Sequence, residues 1–177
     1  MNLIVKLPLK FSLIAIFFVV LMFFLIILLG KNPVIYTSNI IFMGPMLAAF
    51  LFLSVKAFRD INPEGLRFWQ GFSIGLIYTL IFSIVFALLL WIYASAFDQV
   101  YFDEYRTMIL EKIKAGKDML IDQMGEEGYQ EYLKSGESSN GRIIGSLAFN
   151  NILIGILVTP LISLFMRTSE PQKPKSV

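Results

Sequence analysis

The chain contains neither cysteine nor histidine. Without thiols there is no disulfide, no thiolate metal site, no cysteine nucleophile and no lipid attached through cysteine. Without imidazole the commonest general base is missing, as is the one side chain whose ordinary pKa lies near neutrality. A third lack is more telling, because four long stretches, 11–29, 34–55, 72–93 and 143–166, hold no charged residue at all. Proton relays and ion paths ordinarily place Asp, Glu, His, Lys or Arg inside a membrane crossing, so a proton-driven carrier built from one subunit is disfavoured. The chain also lacks a Walker loop, a dinucleotide fingerprint, a G-x-S-x-G elbow and a zincin motif. No catalytic, cofactor-binding or metal-binding residue is assigned, and no cofactor is implied. An enzyme is the least supported reading, since acid, base and nucleophile roles would fall to exposed carboxylates and hydroxyls with no visible constellation.

What the sequence does hold is apolar length. Hydrophobic residues make up 56% of 177 positions and mean hydropathy is +0.71, too high for one soluble domain of this size. Phe11 to Leu29 has Ser12 as its single polar residue in 19 positions. At about 1.5 Å per residue such a helix spans the hydrocarbon core of roughly 30 Å. This first run is longer than the apolar core of a signal peptide, and Leu28-Leu29-Gly30-Lys31 offers no small-x-small cleavage site, so it reads as a retained helix. Lipid cannot satisfy exposed backbone groups, and no alternating barrel pattern is present, so the crossings must be helical. The fold class is therefore all-α: a single membrane domain over 1–177, with four transmembrane helices and an extracytoplasmic amphipathic helical pair inserted at 94–142.

Orientation is read from basic residues near the crossing ends. One side receives Lys6, Lys10, Lys56, Arg59, Arg67, Arg167, Lys173 and Lys175, against the acids Asp60, Glu64 and Glu170. Basic flanks stay cytoplasmic, which puts both termini inside and the long connection outside. The net charge of +2 is too small to point to nucleic acid, and none is expected as a partner. Trp69 and Trp91 bracket the third crossing at a separation that suits the two membrane interfaces, so they read as anchors. Pro45 and Pro160 are each expected to bend the helix that contains them.

In the long connection, Phe102, Tyr105, Ile109 and Ile113 recur at helical spacing, and Leu120 and Met124 continue the stripe past Gly116. Asp98 and Asp103 lie near the start of that helix. Gly125 is expected to stop it, with a second short helix from Glu126 to Ser135. The apolar stripe has two readings: packing of the pair against itself or the membrane surface, and docking of a partner through Phe102, Tyr105, Ile109, Ile113 and Leu120.

Inside the crossings, Asn39, Asn150 and Asn151 are the polar candidates, and Asn39 and Asn150 are expected at similar depth, where they either hydrogen-bond between helices or line a small polar pocket. Gly71 with Gly75 and Gly141 with Gly145 form GxxxG pairs that predict close helix approach, within the chain or to another copy.

The turn Lys56-Ala57-Phe58-Arg59-Asp60, the lead-in Phe68-Trp69-Gln70-Gly71-Phe72 and the run Ile113-Lys114-Ala115-Gly116-Lys117-Asp118-Met119 give the layout its resemblance to a known family. The chain resembles small four-helix membrane proteins frequent in Bacteroidetes and grouped as a domain of unknown function. That resemblance implies four crossings and a bacterial inner membrane, and it brings no catalytic residue. The functional expectation is a structural or accessory protein that self-associates or binds an unidentified membrane-protein partner through helix faces. The alternative is a small oligomeric transporter or channel.

Overall fold

Local capping chemistry sets the starts of the first four helices. A computed structural model of the chain describes residues 2–96 and 100–168. Helix α1, Leu3–Leu28, starts where the Asn2 side chain accepts from the Ile4 N–H, and it ends in a Schellman turn. Gly30 takes φ +66°, and the Lys31 N–H reaches the carbonyl of Ile26. Asn32 then caps α2, Pro33–Ser38, by accepting from Val34 and Ile35, with Pro33 preset for the first helical position. Asn39 ends α2 in extended geometry and caps α3, Ile40–Ile61, accepting from Ile41 at 2.9 Å. The turn after α3 needs Gly65 at φ +73°. Helix α4, Phe68–Ala96, opens with Gln70 accepting from the Arg67 N–H, the return half of a capping box. Three more helices complete the chain: α5, Val100–Ala115; α6, Lys117–Gly136; and α7, Asn140–Met166.

Four of these, α1, α3, α4 and α7, are long and apolar enough to cross a membrane. Their outward faces carry large exposed hydrophobics such as Phe17, Phe24, Ile84, Leu157 and Phe165. An apolar surface of this extent is suited to lipid, not water. In section the bundle runs α1, α3, α7, α4, each touching the next, and α3 also packs on α4 across the diagonal. The centre is an aromatic stack along α4: Tyr78, Phe82 and Phe86 are fully buried, with successive ring centroids 6.0 and 6.1 Å apart. Phe23 against Tyr93 at 5.6 Å brings the later halves of α1 and α4 together, so those two helices run parallel.

Two expectations change. The second crossing is not continuous from 34 to 55: the chain breaks at Asn39, giving a short α2 and a crossing α3 that continues to Ile61. Pro45 and Pro160 sit inside α3 and α7, and the interruption of the second run falls at the capping Asn39. In the long connection, the first helix ends at Ala115 and Gly116 opens the next, whereas the sequence stripe ran through that glycine. Gly125 leaves helical geometry, at φ 76° and ψ 170°, and divides α6 into two helical pieces, the stop expected at this glycine. Asp98 lies outside the described residues, as do Glu170, Lys173 and Lys175.

Candidate functional site

Glycines on both helices bring α4 and α7 into close approach. Gly71 lies against Ser163, Gly75 against Thr159, and Gly155 against Thr79. Each step of four along α4 is matched by a step of four back along α7, so the pair is antiparallel and in one register. The next step sets Ser83 opposite Asn151. All eight residues are buried. A Cβ placed on Gly75 would sit 2.5 Å from the Thr159 methyl, so glycine is required for this packing. Ser163 donates back to the Thr159 carbonyl at 2.7 Å. The hydroxyls of Thr79, Ser83 and Thr159 and the amide nitrogen of Asn151 have no hydrogen-bond partner among the described residues. The hydroxyls of Ser54 on α3 and Tyr78 on α4 share that state, which makes the bundle centre a strip of unpaired polar atoms in an apolar shell.

The second GxxxG behaves differently. Gly141 and Gly145 have nothing within 4 Å of where a Cβ would stand. They are exposed and, with Ala148 of α7 and Leu88 and Trp91 of α4, line an open groove of about 390 Å³. One glycine pair therefore closes a contact inside the chain, and the other presents a smooth, uncovered helix face.

The asparagines separate too. Asn39 and Asn150 are both exposed and no hydrogen bond joins them, because Asn39 is occupied as a helix cap; Asn151 is the one turned into the bundle. The apolar stripe of the connection is largely used internally. Phe102 is fully buried in the main core together with Ile143 and Ile144, and Ile113 packs on Gly136 at the end of α6. Tyr105, Ile109 and Leu120 are half-buried. Burial pushes the Tyr105 hydroxyl above its usual range, opposed in part by a hydrogen bond with Ser38. Phe102 is thus taken up by the bundle core and Ile113 by α6, while Tyr105, Ile109 and Leu120 keep part of their surface exposed.

Two residues that the sequence pattern did not single out fix this pair to the bundle. Asn32, nearly buried, donates to the Tyr101 carbonyl at 2.7 Å and to the Glu104 carboxylate at 2.9 Å while its oxygen caps α2. Arg106 donates to the Ser138 carbonyl at 2.7 Å and also contacts Asn140 and Asp103. The partners of Gly71 and Gly75 were legible in principle, since Asn151, Gly155, Thr159 and Ser163 repeat at intervals of four.

Among the described residues no cluster of acidic side chains could hold a metal ion. The fold and seam define a class: an all-helical membrane protein with four crossings, consolidated by small-residue packing. Within that class the chain belongs to the family described as "Protein of unknown function (DUF4199)", whose model matches residues 10–168. No curated protein and no solved structure matches it.

Proposed function

We propose that this is a structural or accessory membrane protein that catalyses no reaction and self-associates through the glycine face of α7. The observation that carries this reading is the open groove at Gly141 and Gly145. Small residues let a neighbouring backbone approach closely, and in lipid the gain from such packing is the main force between helices. The intramolecular GxxxG of this chain is already filled, while the second is uncovered and bordered by the exposed ring of Trp91. The same reading places the protein in a bacterial inner membrane with both termini in the cytoplasm. Its support is the gathering of Lys56, Arg59, Arg67 and Arg167 at one end of the bundle, which Lys6 and Lys10 share because α1 runs parallel to α4.

The test is the mass of the intact assembly in nanodiscs, for the parent and for Gly141→Leu and Gly145→Leu. Neither leucine meets an atom of its own protomer at Cβ, so the bundle keeps its helical content and only the contact between copies is lost. A monomeric parent, or variants that retain the parental mass, would sink the proposal.

A second reading, an oligomeric transporter or channel, is favoured by the unpaired polar atoms of Thr79, Ser83, Asn151 and Thr159. It predicts solute flux in vesicles that falls when Asn151 is replaced by leucine. Vesicles of the parent protein without flux would remove it.

A further inference from the structure

The end of the bundle where α3 and α7 finish holds a cleft of about 530 Å³ that the self-association reading does not use. Its walls differ in character. One is polar: Arg59, Asp60, Asn62 and Arg167. The other is apolar and turned outward, with Phe165 84% exposed and Ile61 56% exposed.

Charge is not balanced in this cleft. Arg59 donates to one oxygen of Asp60 at 3.2 and 3.3 Å, and its remaining nitrogen lies 3.7 Å from the Met166 sulfur. Asp60 is therefore matched, and nearby Arg67 is matched by Glu64 at 3.3 Å. The Arg167 side chain makes no hydrogen bond or ion pair among the described residues, because the residue's contact to α7 is made by its backbone N–H on the Leu164 carbonyl. A guanidinium left over beside a second one is a fork of donors matched to phosphate oxygens.

Height in the membrane decides the source of that phosphate. Phe165 and Met166 end an apolar crossing, and Arg167 follows directly, so the cleft lies at the boundary between hydrocarbon and headgroups. Phosphate at this level belongs to a lipid, and basic pockets between crossing helices recognise anionic headgroups. The exposed Phe165 and Ile61 then meet the acyl chains of the same molecule. The walls themselves are firm: the Leu66 N–H donates to the Thr168 hydroxyl at 2.9 Å, the Thr168 N–H donates to the Leu66 carbonyl at 3.0 Å, and Asn62 donates to the Gly65 carbonyl at 2.5 Å.

We propose that this cleft binds the phosphodiester of an anionic phospholipid, with Arg167 as its principal ligand and Arg59 beside it. The experiment is native mass spectrometry of the full chain released from nanodiscs containing phosphatidylglycerol and phosphatidylcholine. The parent is expected to retain phosphatidylglycerol in preference, and Arg167→Gln to retain about tenfold less, the loss of one charge-assisted contact. The Arg167 side chain is exposed and makes no hydrogen bond or ion pair among the described residues, so its replacement is expected to leave the bundle intact, while Arg59→Gln serves as a second variant with the same expected direction. Equal retention of the two lipids, or an unchanged Arg167→Gln, would overturn the proposal. So would an equal loss in Arg142→Gln at the opposite end, which would reduce the effect to net charge. Displacement of the lipid by millimolar inorganic phosphate would assign the cleft to a free anion and overturn the lipid.

Discussion

Thr79 fills the space that a side chain on Gly155 would need, and its own hydroxyl is left without a hydrogen-bond partner among the described residues. The same trade recurs one turn along, where Thr159 fills the space over Gly75 and is equally unpaired. Close approach of α4 and α7 is thus obtained with small polar residues whose polarity is not used inside the protomer. Shape, not hydrogen bonding, holds this seam.

If shape holds it, an added methyl breaks it. Gly155→Ala and Gly75→Ala should each destabilise the bundle by about 1–3 kcal/mol, the usual cost of overpacking. Gly141→Ala and Gly145→Ala should change the protomer by less than about 0.5 kcal/mol, as surface substitutions do. Thermal unfolding in one detergent separates the two pairs, and equal shifts in all four variants would contradict the assigned register.

Removing an unused hydroxyl should help. Thr159→Val keeps the shape and deletes a buried unpaired donor, so stability should stay level or rise by about 1 kcal/mol. A clear fall in the melting temperature would mean that the hydroxyl has an essential partner, such as water or a second copy of the chain.

Asn32 joins the turn after α1 to α5. Asn32→Ala removes the α2 cap, worth about 1–2 kcal/mol, together with the donors to Tyr101 and Glu104. Hydrogen exchange should accelerate across 100–115 while α4 and α7 stay protected. Uniform exchange in parent and variant would show that α5 is held by its apolar face alone.

Tyr105 supplies a pH dependence whose sign is fixed. Its folded pKa is raised by burial above the ordinary value of about 10, so the neutral phenol is favoured in the folded state. That contribution is complete below the unfolded pKa and is lost as pH rises through the folded one. Unfolding followed between pH 9 and 12 should show a loss of stability on the alkaline side that Tyr105→Phe reduces. An identical profile in the variant would assign the loss to other groups.

Much of the fold was legible because lipid imposes one demand, apolar helical length, and the runs beginning at Phe11, Phe72 and Ile143 answer it without ambiguity. The ends were less legible. Asn39 reads as one polar residue in an apolar run, and its role as a cap depends on backbone geometry that hydropathy does not encode. Gly116 does not stand out in the sequence, because Leu120 and Met124 preserve the apolar spacing on its far side. For the site, the two GxxxG pairs are identical as motifs. What separates Gly75 from Gly145 is the neighbour each faces, and that is a property of the packed bundle alone.

Helix α4 touches each of the other three crossings, and it is the third of them in chain order. During synthesis α1 and α3 are therefore in the bilayer before α4, which packs on both, and α7 follows only after the intervening α5 and α6 have been made. A chain arrested before α7 would leave Gly71 and Gly75 as an empty cleft and turn Thr79 and Ser83 toward the acyl chains. That exposed polar stripe distinguishes an unfinished copy from a complete one, and it disappears when the last crossing docks.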